Sequence, residues 1–305
     1  MSRLSLSTVW NALQAPDAVS MIKEIAAVGF DKVELNFTLT SKDVRDIIYM
    51  RDKEEVEVTS VHNFCPIPDG VTRSKASPDL YSLSSLDEKE RRMAVGQTIK
   101  TIHTAARLGA TCVILHLGRV EISDRTRDLG KALSDKASYE LLKKLMKEER
   151  SATAGKHLKM TSRSIEELIV QAQEKDIVLG LENRYYYREI PLPDEMEALL
   201  DKFKSAHVGY WHDIGHAQLF ENLGLFNHKK DYLDRLSGRM VGMHLHDIKG
   251  MDDHRPPLEG EFDFSVIKPF LRKGMLMVIE AHHPATAEQI RRGADHLTSL
   301  YGDVL

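Results

Sequence analysis

The sequence predicts an α/β protein folded as a (β/α)8 TIM barrel. Two observations carry this. Eight short apolar runs alternate with eight longer amphipathic segments, and no G-x-G-x-x-G or Walker motif follows the first run. Alternation implies parallel βα units, and a count of eight selects a closed barrel over an open doubly wound sheet. The missing glycine-rich turn speaks against a nucleotide-binding open sheet.

The predicted strands, in order, are Leu4–Thr8, Lys32–Phe37, Val58–Phe64, Cys112–Leu117, Val178–Asn183, Val208–Asp213, Met240–Asp247 and Leu276–Ala281. The predicted helices are Asp17–Val28, Ser41–Arg51, Glu88–Leu108, Ser164–Glu174, Pro193–Phe203, Asp231–Leu236, Phe264–Lys273 and Ala287–Leu300. Pro16 suits a helix start, and Gly29 and Gly109 fall where a left-handed helix end is wanted. One connection is oversized, from Gly118 to Arg163, and it predicts an extra helix, Asp135–Arg150, over the barrel mouth. Residues 1–305 are read as one barrel domain with an insertion at about 118–163.

Composition narrows the function classes. The chain of 305 residues is 42% hydrophobic and 29% charged, which suits one large core. Its net charge of -4 offers no basic field for nucleic acid, so duplex DNA is not an expected partner. No run approaches the length of a membrane helix. Cys65 and Cys112 are the only cysteines and have no metal-type spacing, which fits a reducing cytoplasm. A homo-oligomer is allowed.

In a barrel of this kind the chemistry sits at the C-terminal ends of the strands. Strand three ends in SVHNF with His62, and strand four in ILHLG with His116. Strand five ends in GLEN with Glu182, and strand six in WHDIGH with Asp213 and His216. Strand seven reads MHLHD, with His244 and His246, and DDH follows, with Asp252 and His254. Strand eight ends in VIEAHH, with Glu280. Side chains alternate along a strand, so Val178, Gly180 and Glu182 share a face, as do Leu276, Val278 and Glu280. A carboxylate at the end of an apolar inward face is costly unless something pairs with it. Imidazole and carboxylate without thiolate suit Zn²⁺ or Mn²⁺.

The segments VHNF, LHLG, LEN, HDIGHA, HLHD, DDH with PPLEGEFDF, and VIEAHH resemble the xylose isomerase-like barrel superfamily over essentially the whole chain. That superfamily joins endonuclease IV with sugar isomerases and epimerases. The resemblance implies a shared metal on Glu182, Asp213, His244 and Glu280. Endonuclease IV-like members add five ligands, at positions matching His62, His116, His216, Asp252 and His254, and hold three ions. By that resemblance Glu182 bridges a metal on His62 and His116 to the shared one, and His216, Asp252 and His254 hold the third. Asp252 and His254 lie in a loop whose length departs from endonuclease IV.

Single residues have plainer readings. A lone strand-end histidine is ordinarily a satisfied polar group, and only the joint pattern points to ligation. His246, one layer from His244, reads as a substrate contact or as support for a ligand. His212 reads as structural, His282 as reaching the mouth, His283 as facing the helices, and Cys65 as small and buried. Most of the loop cations read as solvated surface. Arg184 and Arg188 flank the tyrosine run 185–187, which suits a small anionic substrate with a flat or sugar-like portion, or simple packing. Arg184, Tyr185 and Arg188 are therefore substrate candidates.

Two enzyme classes follow. Three ions suit hydrolysis of a phosphate ester or diester in a small nucleotide-like or sugar-phosphate substrate. One ion suits a sugar isomerase or epimerase, in which Glu182 and Glu280 exchange protons with the substrate. The five additional ligand positions favour the hydrolase narrowly. The number of ions, one to three, separates the two.

Overall fold

The computed structural model describes residues 4–302 and 304. Met1, Ser2, Arg3, Asp303 and Leu305, part of the expected domain, lie outside the described residues. In chain order the elements are β1 (Ser5–Ser7), α1 (Ala18–Val28), β2 (Lys32–Leu35), α2 (Ser41–Asp52), β3 (Glu57–His62), α3 (Glu88–Leu108) and β4 (Cys112–Leu115). Then come α4 (Thr126–Lys131), α5 (Lys136–Lys175), β5 (Val178–Glu182), α6 (Pro193–Lys202), β6 (Val208–Asp213), α7 (Ile214–Asn222) and α8 (Asp234–Leu236). The chain ends with β7 (Met240–Leu245), the hairpin β8 (Asp247–Lys249) and β9 (Asp252–Arg255), β10 (Leu276–Ile279) and α9 (Ala287–Tyr301).

The eight predicted strands close into a parallel barrel in the order β1-β10-β7-β6-β5-β4-β3-β2. Asp17 caps α1 by accepting from the Ser20 backbone N–H, and Gly29 ends that helix at φ 109°. Gly109 ends α3 at φ 74°. Among the described residues no helix is long and apolar enough to cross a membrane.

Several helices differ from expectation: α4 was not predicted, and the predicted helix Asp231–Leu236 is a π-helical turn over His228–Leu233 that runs into α8. The predicted insertion helix and the helix after it are one continuous rod, α5, of 40 residues. Residues 151–163 contain no proline and a single glycine, Gly155. A helical glycine costs only about 1 kcal/mol, so nothing there interrupts the rod. The rod braces loops at the mouth: Arg150 donates to the Tyr187 and Glu189 carbonyls and pairs with Glu195, and Ser164 donates to the Leu83 carbonyl. Helix α7 was not expected. It starts directly on Asp213, whose carboxylate accepts from the His216 N–H at 2.8 Å. The expected helix at 264–273 is a 3-10 turn over Phe264–Phe270 with Pro269 inside it.

The barrel interior has two layers. Cys112, Ile114, Trp211 and Val278 form an apolar plug. Glycine makes room for the indole. A side chain at Gly242 would collide with the Trp211 ring, and a Cβ at Gly180 would lie 3.2 Å from it. One inward position further along β5, β6, β7 and β10 stand Glu182, Asp213, His244 and Glu280. The plug keeps water out from below, so these groups must satisfy one another or hold a cation.

Candidate metal centre

His244 organises the middle of the site. Its Nδ1 lies 3.0 Å from Glu182 Oε1, 2.9 Å from Glu280 Oε2 and 3.6 Å from Asp213 Oδ2. Its Nε2 lies 3.1 Å from Glu34 Oε1, and Ser60 donates to the other Glu34 oxygen at 2.8 Å. All of these groups are buried. One donor atom from each of Glu182, Asp213, His244 and Glu280 lies within 4.8 Å of the others. Three carboxylates and one imidazole, with the far nitrogen of the imidazole held by a fourth carboxylate, fit a divalent ion such as Zn²⁺ or Mn²⁺. Without an ion the cluster holds protons instead. Burial opposes a charged His244, but Glu280 and Glu34 outweigh it and raise its pKa well above the usual histidine value. Burial likewise opposes an ionised Glu182, yet His116, His244 and His62 hold its pKa well below the carboxylate range.

Three further clusters flank this one, and the third, Asp213, His246, His254 and Glu280, shares two of its donors. His62, His116 and Glu182 form the first. His116 Nε2 is 2.8 Å and His62 Nε2 3.6 Å from Glu182 Oε2, and His116 Nδ1 is 3.1 Å from Asp79. His216, Asp253 and His254 form the second. Asp253 Oδ2 lies 3.0 Å from His254 Nδ1 and 3.6 Å from His216 Nε2. His216 Nδ1 faces the Asn183 carbonyl at 2.9 Å, which leaves Nε2 for the cluster.

Eight of the nine expected ligand positions therefore converge, and the ninth is a correction. Asp252 belongs to none of the clusters: its side chain is 71% exposed and pairs with Arg255 at 2.5 Å. Asp253, 20% exposed, takes its place. Neighbouring residues on β9 point to opposite faces, so the antiparallel hairpin, which pairs Lys249 with Asp252, decides which aspartate turns inward.

The substrate candidates also divide. A cavity of about 270 Å³ opens over the clusters, and Arg184 and Tyr185 line it. Arg188 does not line it. Nor does His246, which is fully buried with Nε2 2.9 Å from Asp213 Oδ1, so its contact is with a donor and not with the cavity. The Tyr185 hydroxyl donates to the Met251 carbonyl at 2.8 Å. His282 lines the cavity and stacks on His254 at 3.9 Å, as expected of a residue reaching the mouth. His212 is buried on the opposite side of β6, bonded to Tyr210 and His228.

The residues missed were Glu34, Asp79, Asp253 and Glu189. Glu34 carried little signal, because Lys32 and Asn36 share its face and the run reads as ordinary alternation. Asp79 and Glu189 lie in loops where sequence pattern gives none.

Fold and site thus define a barrel that gathers candidate metal-ligating side chains at its C-terminal mouth. The chain belongs to the xylose isomerase-like TIM barrel family, whose model matches residues 22–300. No curated protein sequence matches it. Among solved structures it is similar to a D-tagatose 3-epimerase-like protein, at 19% identity and TM-score 0.69, over 100% of this chain and 98% of that one. It is similar to 3-keto-D-glucoside 4-epimerase from E. coli at 16% identity and TM-score 0.69, over 98% and 100% of the two chains. It is also similar to an IolI protein with a bound zinc atom, at 13% identity and TM-score 0.67, over 100% and 99%. At these identities the likeness is one of fold.

Proposed function

We propose that the protein is a metal-dependent isomerase or epimerase of a small sugar or sugar-like hydroxy-ketone. One observation carries the reading: of the four central donors, only Glu182 and Glu280 line the cavity, while Asp213 and His244 stand behind them. Two carboxylates bordering one pocket are what a proton exchange at carbon needs. One takes the proton from the carbon beside a carbonyl, and the other returns a proton to the opposite face or to the neighbouring carbon. Bound to the four donors, a Zn²⁺ or Mn²⁺ ion would polarise the substrate carbonyl and hydroxyl oxygens. Asp213 is held by the His216 N–H of α7 and by His246, and His244 by Glu34, so both keep their positions as the glutamates change protonation.

The epimerase descriptions of the similar structures support this reading over the phosphoester hydrolysis favoured from sequence. The hydrolase reading retains one supporting observation, the neighbouring cluster His216–Asp253–His254. The test is incubation of the metal-loaded protein with a panel of ketoses and aldoses in D₂O, followed by NMR. Deuterium at the carbon beside the carbonyl, with formation of an isomer, is the expected result. Cleavage of a phosphodiester with no exchange into any sugar would overturn the proposal.

A further inference from the structure

The cluster His62–His116–Glu182 has the donors of a metal site but already contains a cation. The geometry points to Arg184 as the resident counter-charge of that cluster, a guanidinium standing where a second ion would otherwise bind. Arg184 leaves β5 two residues after Glu182 and turns back over it. Its Nη1 donates to Glu182 Oε2 at 3.2 Å and also to His116 Nε2. These are the atoms an ion in this cluster would require.

The other side of the guanidinium is equally committed. Nη2 donates to Asp79 Oδ2 and to Glu189 Oε1, each at 3.3 Å. Glu189 is fixed in turn, since its second oxygen accepts from the Tyr186 backbone N–H at 2.9 Å. Arg184 itself is 5% exposed. Three carboxylates from three places in the chain therefore converge on one buried guanidinium.

An arginine does not lose its proton in a protein, so Nη1 has no lone pair to share and cannot act as a bridge to a metal. For an ion to enter, the side chain must swing out. That would strand Glu189 and Asp79, and removing one partner of a buried ion pair is strongly unfavourable. The positive charge also repels an incoming dication at contact distance. The arrangement gives Glu182 two different sides. Oε1 faces His244 and the central donors, while Oε2 is neutralised by a fixed organic cation. A guanidinium supplies charge but no activated water, so this cluster offers no metal hydroxide. The same guanidinium would stand there whichever reaction the pocket runs.

The test counts ions and does not read activity. Metal-free protein is saturated with Zn²⁺ and, separately, Mn²⁺, and bound equivalents are measured by mass spectrometry after desalting. Four chains are compared: wild type, His116→Ala, Arg184→Ala and the double variant. The expected result is that His116→Ala binds as many equivalents as wild type, Arg184→Ala binds one more, and the double variant loses that gain. Loss of one equivalent in His116→Ala alone would overturn the assignment. So would an Arg184→Ala protein that keeps its circular dichroism and gains no ion. If Arg184→Ala does not fold, the comparison of His116→Ala with wild type still decides.

Discussion

Two groups of histidines, one outside the barrel wall at β6 and one inside the barrel mouth, are pushed to opposite charge states. On the outer side His212 meets only neutral partners: the Tyr210 hydroxyl at 2.6 Å and His228 at 3.0 Å, with His228 in turn facing Gln218. Burial dominates, and the His212 pKa is pushed down to about 3. On the inner side His244 is just as deep and His254 is 14% exposed at the cavity; Glu280, Glu34 and Asp253 face them and their pKa values are raised. His212 and His244 are equally deep, so depth alone does not set the charge. The partner does. The outer pair is a neutral packing element, whereas the inner pair is held protonated by the carboxylates that face it.

The largest test of this contrast is Glu182→Gln. It removes a carboxylate that faces His244, His116 and Arg184 together, and it should cut metal affinity by more than about a hundredfold and abolish turnover while the barrel stays folded. Titration calorimetry with Zn²⁺ checks it, and unchanged affinity would remove Glu182 from the centre.

Glu34→Gln is the next largest. Glu34 does not line the cavity but bonds the far nitrogen of His244, and loss of such a support costs about 10- to 100-fold in metal affinity. The diagnostic is a weaker affinity at an unchanged number of equivalents. An affinity equal to wild type would mean that His244 is held by packing alone.

The outer pair gives a stability prediction with a definite sign. His212 and His228 have folded-state pKa values below that of a free histidine, so the unfolded chain binds protons that the native state refuses. Stability therefore rises with pH across the window from about 3 to about 6.5, and it falls as pH drops below about 6.5. His228→Gln removes one such group and should reduce the loss of stability between pH 7 and pH 5. In metal-free protein His244 and His254 act oppositely: their stabilising effect is present below about 6.5 and is lost as pH rises through their raised pKa values. Urea melts at the two pH values, with metal removed, measure the difference. Equal pH dependence in wild type and variant would show that the outer pair is not a neutral element.

The smallest expected effect belongs to Asp252→Asn. An exposed pair with Arg255 is worth about 0–1 kcal/mol, so metal content and stability should stay close to wild type. Asp253→Asn, by contrast, should weaken binding at the His216–His254 cluster. Reversal of that order in metal content would mean that the β8–β9 hairpin is out of register.

Much of the fold and of the site is legible in the sequence. The eight strands were visible because a parallel barrel strand is a short apolar run, and its inward face shows itself when a histidine or carboxylate interrupts the alternation at the end. That rule locates Glu182, Asp213, His244 and Glu280; Glu34 escapes it, because it sits mid-strand on a face shared with Lys32 and Asn36. It could not choose between Asp252 and Asp253, because the register of a hairpin is set by pairing. Nor could it see that α5 runs unbroken, because a helix ends where packing or a breaker stops it, and neither was visible at 151–163.

The sequence by itself determined the barrel, the ring of donors at its mouth and the family, because each rests on local pattern: period, strand ends and motif. Tertiary structure alone decided which of those donors already have a cation. Asp79 and Glu189 reach Arg184 from loops 105 and 5 residues away in the chain, and Glu34 reaches His244 across 210. Charge in a buried site depends on the groups within a few ångströms, and no residue's neighbours at that distance follow from its neighbours in sequence.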